Sequence, residues 1–524
     1  MMMFVSKRMS SANFSYLLVF INAVLLYSNT LSADFVYDDS QAIVSNPVVN
    51  GDVNIFRVWN VDFWGNPLNK ASHKSYRPLT TLSFRINAVV FGMRPFSFHL
   101  TNVILHALVS CLVLRLVKRF QLFPENPEAE IFTALLFAVH PIHCEAVAGV
   151  VGRADVLAAA AVIAGILRFI ENQNVLMATG YATMATGFKE TGIMLLPLLI
   201  VFTLLSPKKN LHNLRQSISG LAMAFVALAT ARHAINGFEP PSFSKSDNPV
   251  SHHPSALVRT MTFLYLPIFH LKLLIYPKDL SFDWSMDSIP LVISPTDPRF
   301  IGSVLIYSIL AVAGYMLVKD NGILEKIWKL LRVYRHSHHD GKCSGKNSPV
   351  KPRRKISQDM ARKTLIALSL LILPFLPASN LFCYVGFVAA ERTLYLSSVG
   401  YCILVGMLYN FCCSRFKGDI VGAEFAYTTA LQLAGTHPES LRSLATLLRE
   451  QGRFDKTEEV LGILQVHHPS ADSYGDFGAI LHINGKFQEA REFYEKSLHL
   501  EPNNSVVREN MRKLQRKMAS LNLR

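Results

Sequence analysis

Long apolar runs joined by polar connections are the feature that most restricts how this chain can fold. A membrane-spanning helix needs about 20 predominantly apolar residues, and the run at 14–32 provides them directly after Lys7 and Arg8. Of the 524 residues 50% are hydrophobic and only 17% are charged, which excludes an ordinary soluble protein. The sequence therefore predicts an all-α, polytopic membrane helix bundle. The further candidate spans are 99–117, 131–147, 155–170, 174–187, 190–206, 218–235, 257–276, 301–318, 364–382 and 396–413.

The strong positive charge indicates membrane topology and not nucleic-acid binding. The net charge is +15, but Lys and Arg gather in short connections between apolar runs, as they do in cytoplasmic loops. The segment 319–363 is strongly basic, so we expect it to be cytosolic and to face anionic lipid. The 7 cysteines are an odd number and lie mostly in apolar segments, which predicts neither a disulfide framework nor a zinc site.

The membrane part is expected to have three sections. Residues 1–32 would be a cytosolic tail with an uncleaved first span, because no small-residue cleavage site follows the apolar run. Residues 33–98 would be the first luminal loop, and residues 99–415 the remaining multi-span domain.

A soluble helical domain is predicted at the carboxyl end. From about residue 423 the composition changes, and Gln451-Gly452-Arg453-Phe454 recurs as Asn484-Gly485-Lys486-Phe487. This spacing is one residue short of the tetratricopeptide period of about 34. The prediction is tetratricopeptide repeats at 423–505 and a helical cap at 506–524. The number of spans leaves open on which side of the membrane they lie.

Two adjacent carboxylates, Asp38 and Asp39, lie directly behind the first apolar run. Such a pair is costly in hydrocarbon but suits the water-facing mouth of a membrane-embedded site. One acid can position a partner while the other accepts a proton from a hydroxyl. By itself an Asp-Asp pair would be interpreted as an ordinary hydrated loop. The same loop contains Arg77, and Pro78 is suited to open a helix there, which would leave Arg77 at the helix mouth for a phosphate or carboxylate.

The densest polar cluster lies between two apolar runs. It reads His140-Pro141-Ile142-His143-Cys144-Glu145, followed by Gly152-Arg153-Ala154-Asp155. Polar groups at membrane depth in a polytopic protein are candidates for a functional site. The spacing of His140, His143 and Glu145 could suit a metal. Pro141 breaks the helix that a zinc-peptidase motif requires, so no metal ligands are assigned.

Two further charged pairs interrupt apolar stretches. Lys189-Glu190 is compatible with an ordinary ion pair within a helix, or with a lysine that binds phosphate. Glu391-Arg392 stands at the mouth of a span. An arginine there offers a fork of donors that matches phosphate oxygens and a charge that cannot be removed.

Taken together, these residues resemble one family, the transmembrane and tetratricopeptide-repeat-containing O-mannosyltransferases (TMTC). The matching stretches are FVYDDSQAIVSNP at 35–47, DFWG at 62–65, HKSYRPLTTLSFRIN at 73–87, FAVHPIHCEAVAGVVGRADVLA at 137–158, KETGI at 189–193, DNPV at 247–250, DLSFDWSMDSIPL at 279–291, PASNLF from 377 and VGFVAAERTLYLSSVGYCIL ending at 404. They occur in the family's order and extend over nearly all of residues 30–410. Each motif is weak by itself, whereas the ordered set is specific.

The resemblance implies a multi-pass GT-C type glycosyltransferase of the endoplasmic reticulum membrane. Enzymes of that fold use a lipid-phosphate sugar, here dolichyl phosphate mannose, and transfer mannose with inversion to Ser or Thr hydroxyls on the luminal side. The implied partners are the reticulum lipid, the dolichol-linked donor, cadherin-type acceptor domains and a protein bound through the repeats. No cofactor is assigned beyond the donor, and the need for a divalent metal is left open.

The family's motifs also imply roles for particular residues. Its acidic motif falls on Asp38 and Asp39, one of which would be the catalytic base. For the donor phosphate we expect Arg392, then Lys189, Arg153 and Arg77 in descending order. The donor pocket would be shaped by His140, His143, Glu145, Asp155 and Glu391. The chemistry agrees, because attack of a hydroxyl on a glycosyl phosphate needs a carboxylate to take the proton and cations to hold the departing phosphate.

Two other classes of function were weighed against this one. A non-catalytic membrane adaptor would act by docking a partner on its tetratricopeptide repeats. A transporter would line a pathway with the buried charges, but no inverted repeat of broken helices is visible in the sequence. The transferase is the preferred hypothesis and the adaptor is the alternative.

Overall fold

The computed structural model describes residues 11–68, 72–206, 210–238, 243–332, 352–382, 384–418 and 436–521. The centre of the basic segment, 333–351, and the expected start of the repeats, 423–435, lie outside the described residues. Within the described ranges the regular structure is helical, and the nearest approach to a sheet is an isolated bridge between Val61 and Pro67. The prediction of an all-α fold is confirmed. The chain forms two compact units, Met1–Asn410 and Phe411–Arg524.

Most of the helices lie in the first unit, and the last of them begins in it and ends beyond Asn410. Their bounds are α1 Ser11–Tyr27, α2 Pro47–Asn50, α3 Pro78–Phe91, α4 Pro95–Arg119, α5 Pro127–Val139, α6 Cys144–Ala148, α7 Arg153–Asn172, α8 Val175–Phe188, α9 Leu195–Leu205, α10 Leu211–Ile235, α11 Ala256–Ile275, α12 Pro298–Asp320, α13 Ile323–Arg332, α14 Pro352–Ile372 and α15 Ser398–Gly418. As the sequence predicts, Pro78 occupies the first turn of α3, with Arg77 as its N-cap residue.

Several of these helices are long and apolar enough to cross a membrane. Among the described residues 7 meet this test. They are Asn13–Ser32, Pro95–Arg119, Val150–Asn172, Leu211–Ile235, Ala256–Ile275, Pro298–Lys319 and Gln358–Ala378. The pair Pro127–Val139 and Pro141–Ala148, bent by 43°, would be an eighth span if it crosses as one unit. The protein is therefore a multi-pass membrane protein.

The bend after α5 has a local cause. Proline lacks a backbone N–H and clashes with the preceding turn, so a helix ends before it. His140 accordingly adopts an extended conformation, and its Nδ1 accepts a hydrogen bond from the N–H of Ile142 at 3.2 Å. The chain continues through the short α6 and turns again before α7. At this second turn a Cβ on Gly152 would lie 2.3 Å from the carbonyl oxygen of Ala146, so only glycine fits without a shift.

A similar break divides the predicted runs 174–187 and 190–206. Lys189 is extended between α8 and a 3-10 turn at Glu190–Met194, and α9 follows that turn. Irregular backbone at membrane depth is tolerated only where protein groups or a water-lined cavity satisfy it. We therefore expect a polar cavity near the breaks at His140 and Lys189.

The core of the first unit holds these breaks in place. Buried apolar residues of α4, α5, α7, α9 and α15 form its main cluster, including Val113, Phe137, Ile163, Leu196 and Val399. A second cluster fastens the first loop onto α3 and α4, and it includes Ile43, Phe63, Phe84, Phe98 and Val150.

Among its described residues, the second unit contains the end of α15, two helical hairpins and a last helix. The hairpins are α16 Pro438–Glu450 with α17 Phe454–His467 and α18 Ala471–Ile483 with α19 Phe487–Leu500, and α20 spans Ser505–Ser520. Gly452 and Gly485 have positive φ of 71° and 80° at equivalent turns, which explains the repeated glycine. Leu481, Tyr494 and Leu514 pack together in this unit. Its assignment to tetratricopeptide repeats stays a prediction.

Candidate functional site

A polar cavity of about 550 Å³ lies in the first unit, between the first loop and the helix breaks. This volume is within the usual range of small-molecule sites. Segments distant in sequence contribute the charged side chains that line it: Asp38, Lys74, Arg77, Glu145, Lys189, Glu190, Asp247, Asp283 and Arg392. Of the residues singled out from the sequence, the structure brings Asp38, Arg77, Glu145, Lys189 and Arg392 to this one cavity.

The two neighbouring aspartates have different environments. Asp38 lines the cavity, and its Oδ2 lies 3.7 Å from Nη2 of Arg392. That distance is an ionic contact and too long for a hydrogen bond, so Arg392 leaves the lone pairs of the carboxylate available. Burial raises the pKa of Asp38 above its ordinary value, with Arg392 opposing this effect and Asp283 adding to it.

Asp39 instead points into the protein and is 1% exposed. Its carboxylate accepts hydrogen bonds from the N–H groups of Val36 at 3.3 Å, Val150 at 3.4 Å and Val151 at 2.9 Å. Two of these donors belong to the turn that precedes α7, so Asp39 ties the first loop to that turn. The sequence could not separate the two acids, whereas the structure leaves only Asp38 facing the cavity.

Arg392 is anchored by Glu145. The backbone N–H of Arg392 donates to Oε2 of Glu145 at 2.7 Å, and its Nη1 donates to Oε1. Burial works against the positive charge, but Glu145 and Asp38 raise the pKa of Arg392 above its ordinary value. The Nη2 edge of the guanidinium remains directed toward Asp38 and the cavity.

Lys189 is a second buried cation. Its Nζ donates to both carboxylate oxygens of Asp155, at 2.6 and 2.7 Å. Burial lowers the pKa of Lys189, and Asp155 opposes that effect. Asp155 therefore positions Lys189 at the cavity wall and is not itself among the residues that line the cavity.

Arg77 shares a carboxylate with another arginine. Its Nε donates to Oε2 of Glu190 at 3.0 Å, while Nη2 of Arg232 donates to Oε1 of the same group at 2.8 Å. The Arg77 guanidinium also lies 4.9 Å from the centroid of the Phe63 ring. Two cations on one carboxylate leave this wall with a net positive charge. The sequence predicted no role for Arg232, because an arginine near the end of the predicted span 218–235 carries no specific pattern.

Four other predicted site residues are not brought to the cavity. Arg153 is fully buried, stacks on Phe84 and Phe98, and donates from Nε to Oδ1 of Asn102 at 2.8 Å. His140 pairs with the carbonyl of Leu274 at 3.1 Å, and His143 with Oγ of Ser398 at 2.8 Å. Glu391 accepts from the N–H of Ser281 at 2.6 Å and from Nε1 of Trp284 at 3.1 Å. These side chains hold the surrounding elements together.

Two cavity carboxylates were assigned no role from the sequence. Asp247 and Asp283 lie in the stretches DNPV and DLSFDWSMDSIPL, which served only to support the family resemblance. Among the described residues no three His, Cys, Asp or Glu side chains are grouped so that they could hold a metal ion.

Comparisons with known proteins agree with the motifs. The family described as "Protein O-mannosyl-transferase TMTC, DUF1736" matches residues 237–311, which include Asp247 and Asp283. The chain is 36% identical over 531 positions to Protein O-mannosyl-transferase TMTC2 of Mus musculus, a match that covers 91% of this chain and 61% of that protein. The chain belongs to the TMTC family. The family resemblance seen in the sequence is therefore confirmed.

Other TMTC proteins match over much of the chain as well. Protein O-mannosyl-transferase TMTC2 of Homo sapiens is 35% identical over 91% of this chain. Protein O-mannosyl-transferase TMTC4 of Homo sapiens is 35% identical over 73% of it. The chain spans 61% of the length of both TMTC2 proteins.

Proposed function

We propose that this protein is a dolichyl-phosphate-mannose:protein O-mannosyltransferase of the GT-C type. It transfers mannose to Ser or Thr hydroxyls of cadherin-type domains in the endoplasmic reticulum lumen. The observation that carries the proposal is the contact between Asp38, a carboxylate with free lone pairs, and Arg392 inside a cavity of suitable size. The names of its TMTC relatives, which are protein O-mannosyl-transferases, support mannosyl transfer to protein.

Asp38 is proposed as the catalytic base. The acceptor hydroxyl attacks C1 of the mannosyl group, and its proton passes to the Asp38 carboxylate as the new C–O bond forms. The bond between C1 and the phosphate oxygen breaks, and dolichyl phosphate leaves with the electron pair. Attack opposite the leaving group inverts the configuration at C1, as in inverting glycoside hydrolysis with an alcohol in place of water.

The departing phosphate is proposed to bind the cationic wall of the cavity. Arg392 presents its Nη2 edge, since Glu145 binds its backbone N–H and its Nη1. Arg77 adds a second guanidinium, held by Glu190. Charge-assisted hydrogen bonds from arginine to phosphate are strong and directional. Lys189 already donates from Nζ to both oxygens of Asp155, which leaves one of its three N–H groups for phosphate, so we rank it below the two arginines.

The test is mannose transfer in microsomes that contain the full chain. Labelled dolichyl phosphate mannose and a cadherin-type domain would be supplied to wild type, Asp38→Asn and Asp39→Asn. For Asp38→Asn we expect transfer to fall at least about a hundredfold at unchanged protein level, because a general base contributes rate and no packing. For Asp39→Asn we expect a lower protein level, because an amide cannot accept all three backbone hydrogen bonds.

The control is Asp52→Asn, which alters an exposed carboxylate of the same loop. This variant should transfer mannose like wild type. Wild-type rates in Asp38→Asn would contradict the proposed role of Asp38. Absence of transfer by wild type would favour the adaptor hypothesis over the transferase.

A further inference from the structure

Asp283 is a second cavity carboxylate, and it lies on a segment without regular helix between α11 and α12. Its carboxylate is well oriented. Its Oδ1 accepts a hydrogen bond from the N–H of Ser285 at 3.0 Å. Its Oδ2 accepts hydrogen bonds from the Oγ hydroxyl of Ser285 at 2.7 Å and from the phenol hydroxyl of Tyr37 at 2.9 Å. Asp283 is thus connected directly to the residue that precedes Asp38.

The segment that carries Asp283 is fixed from behind. Glu391 accepts hydrogen bonds from the N–H of Ser281 and from the indole of Trp284. The Trp284 ring packs edge-on against Phe269 of α11, with centroids 5.0 Å apart. Oγ of Ser281 also donates to the backbone oxygen of Asp283 at 2.8 Å. The position of Asp283 is therefore determined by the fold, before any substrate arrives.

Tyr37 has an unusual backbone for its residue type. Its φ is +51°, in the left-handed region that disfavours a bulky side chain. Strained residues of this kind persist only where the surroundings hold them, and they cluster at functional sites. Here the surroundings include the bond to Asp283 and an edge-on contact with Phe282, whose ring centroid is 5.3 Å away. Two backbone hydrogen bonds, from Asp39 to Val36 and from Ser40 to Tyr37, also close the turn.

We propose that the Tyr37–Asp283 pair is the positioning device that aims Asp38 at the reacting centre. The left-handed turn at Tyr37 determines the direction in which the next side chain leaves the backbone, and Asp283 holds that turn through the phenol. Asp283 is a positioning residue, because it reaches Asp38 through Tyr37. The inference rests on the proposed mannosyl transfer and assigns a role to the segment 281–285 within it.

The pair has an electrostatic consequence as well. The charged groups that face Asp38 are Arg392 and Arg77, which favour its ionised form, and Asp283, which disfavours it. Burial together with the bond to Asp283 raises the pKa of Tyr37 to about 12, so the phenol remains a donor. Removal of the Asp283 charge would lower the pKa of Asp38, and a base of lower pKa stays ionised at more acidic pH.

The test measures kcat and donor KM against pH for Asp283→Asn, Tyr37→Phe and the double variant. The amide introduced by Asp283→Asn cannot accept all three hydrogen bonds that the carboxylate accepts, and Tyr37→Phe removes the phenol donor. For each single variant we therefore expect kcat to fall about tenfold to a hundredfold, with donor KM nearly unchanged, because a misplaced base affects the chemical step. For Asp283→Asn the acid limb of the pH–rate profile should move to lower pH, because the Asp283 charge no longer disfavours the ionised form of Asp38. In Tyr37→Phe, which keeps the Asp283 charge, that limb should stay near the wild-type position.

A double-mutant cycle tests whether Tyr37 and Asp283 act together. If they act through one hydrogen bond, the double variant should be no slower than the slower single variant. Asp287→Asn is the matched control, because it removes an exposed carboxylate from the same segment and should behave like wild type. Any one of three results would overturn the inference. These are losses that multiply in the double variant, an acid limb that does not move in Asp283→Asn, and an equal loss in Asp287→Asn. Failure of the proposed function has a separate result: Asp38→Asn would then transfer mannose at the wild-type rate.

Discussion

At the scale of single residues, Arg392 connects the parts of the cavity. Its backbone N–H and Nη1 bind Glu145, while Nη2 extends toward Asp38. The guanidinium is planar and carries donors on two edges, so one side chain can be anchored and still present donors to a ligand. A lysine at this position would keep the charge but could not do both.

Replacement of Arg392 by lysine tests that geometry. We expect Arg392→Lys to reduce mannose transfer by about a hundredfold, because one preorganised donor toward the developing phosphate charge is lost. Initial rates in microsomes at varied donor concentration would measure the effect. Arg119→Lys, at an exposed position, is the control and should be neutral. If Arg392→Lys retained wild-type rates, charge alone would suffice at this position and the anchored fork would have no role.

The sequence could identify candidate residues but not their partners. Asp38 and Asp39 are chemically identical neighbours, and they differ because backbone N–H groups some 111 positions away bind only Asp39. The motif predicts a functional role for Arg153, yet its guanidinium is buried and stacks on the rings of Phe84 and Phe98. Asp283 was passed over because its link to Tyr37 spans 246 positions. Such long-range contacts carry no local sequence pattern.

At the scale of elements, broken helices build the cavity wall. Glu145 lies in α6 just beyond the break at Pro141, and Lys189 lies in the break between α8 and α9. The proline was visible in the sequence, and so was the polarity of both breaks. The bend of 43° and the tight turn before α7 were not, because they depend on how α6 packs against α4 and the turn Glu391–Leu394. Apolar periodicity predicts spans more readily than interruptions within them.

The close packing at the turn before α7 gives a prediction about Gly152. We expect Gly152→Ala to lower the thermal stability of the detergent-solubilised protein by about 1–3 kcal/mol, because the added Cβ would meet the Ala146 backbone at 2.3 Å. The turn holds the donors that bind Asp39, so transfer should also fall.

Gly302→Ala is the matched control for this substitution. Nothing lies within 4 Å of a Cβ at Gly302, which is in the helix α12. Alanine is the better helix former, so this variant should be as stable as wild type or more stable. Equal loss of stability in both variants would show that the turn tolerates a side chain.

At the scale of the whole molecule, Glu391 couples the stability of the fold to pH. It is 1% exposed and joins the turn before α15 to the segment that carries Asp283. Burial raises the pKa of Glu391 to about 7, although the N–H of Ser281 and the indole of Trp284 favour its charged form. The folded protein therefore binds this proton more tightly than the unfolded chain does. Its contribution to stability is full below a pH of about 4.5 and is lost as the pH rises through about 7.

The variant Glu391→Gln should remove that dependence. Both donors bind Oε1 of Glu391, so an amide oxygen can accept the same two hydrogen bonds without a charge to bury. We expect the variant and wild type to have similar thermal midpoints near about pH 5. Near about pH 8 the variant should be more stable by a few degrees, from a difference of at most about 3 kcal/mol.

Thermal unfolding of the full chain in detergent, followed at both pH values, measures this difference. Glu125→Gln is the control, since it changes an exposed glutamate of the first unit and should shift neither midpoint. A midpoint of Glu391→Gln below that of wild type at the higher pH would mean that the ionised carboxylate stabilises the segment 281–285. In that case the charge of Glu391, and not its hydrogen-bond geometry, would hold Asp283 at the cavity. A higher midpoint would instead mean that the fold tolerates this buried carboxyl best in its neutral form, with its two hydrogen bonds sufficient to fix the segment.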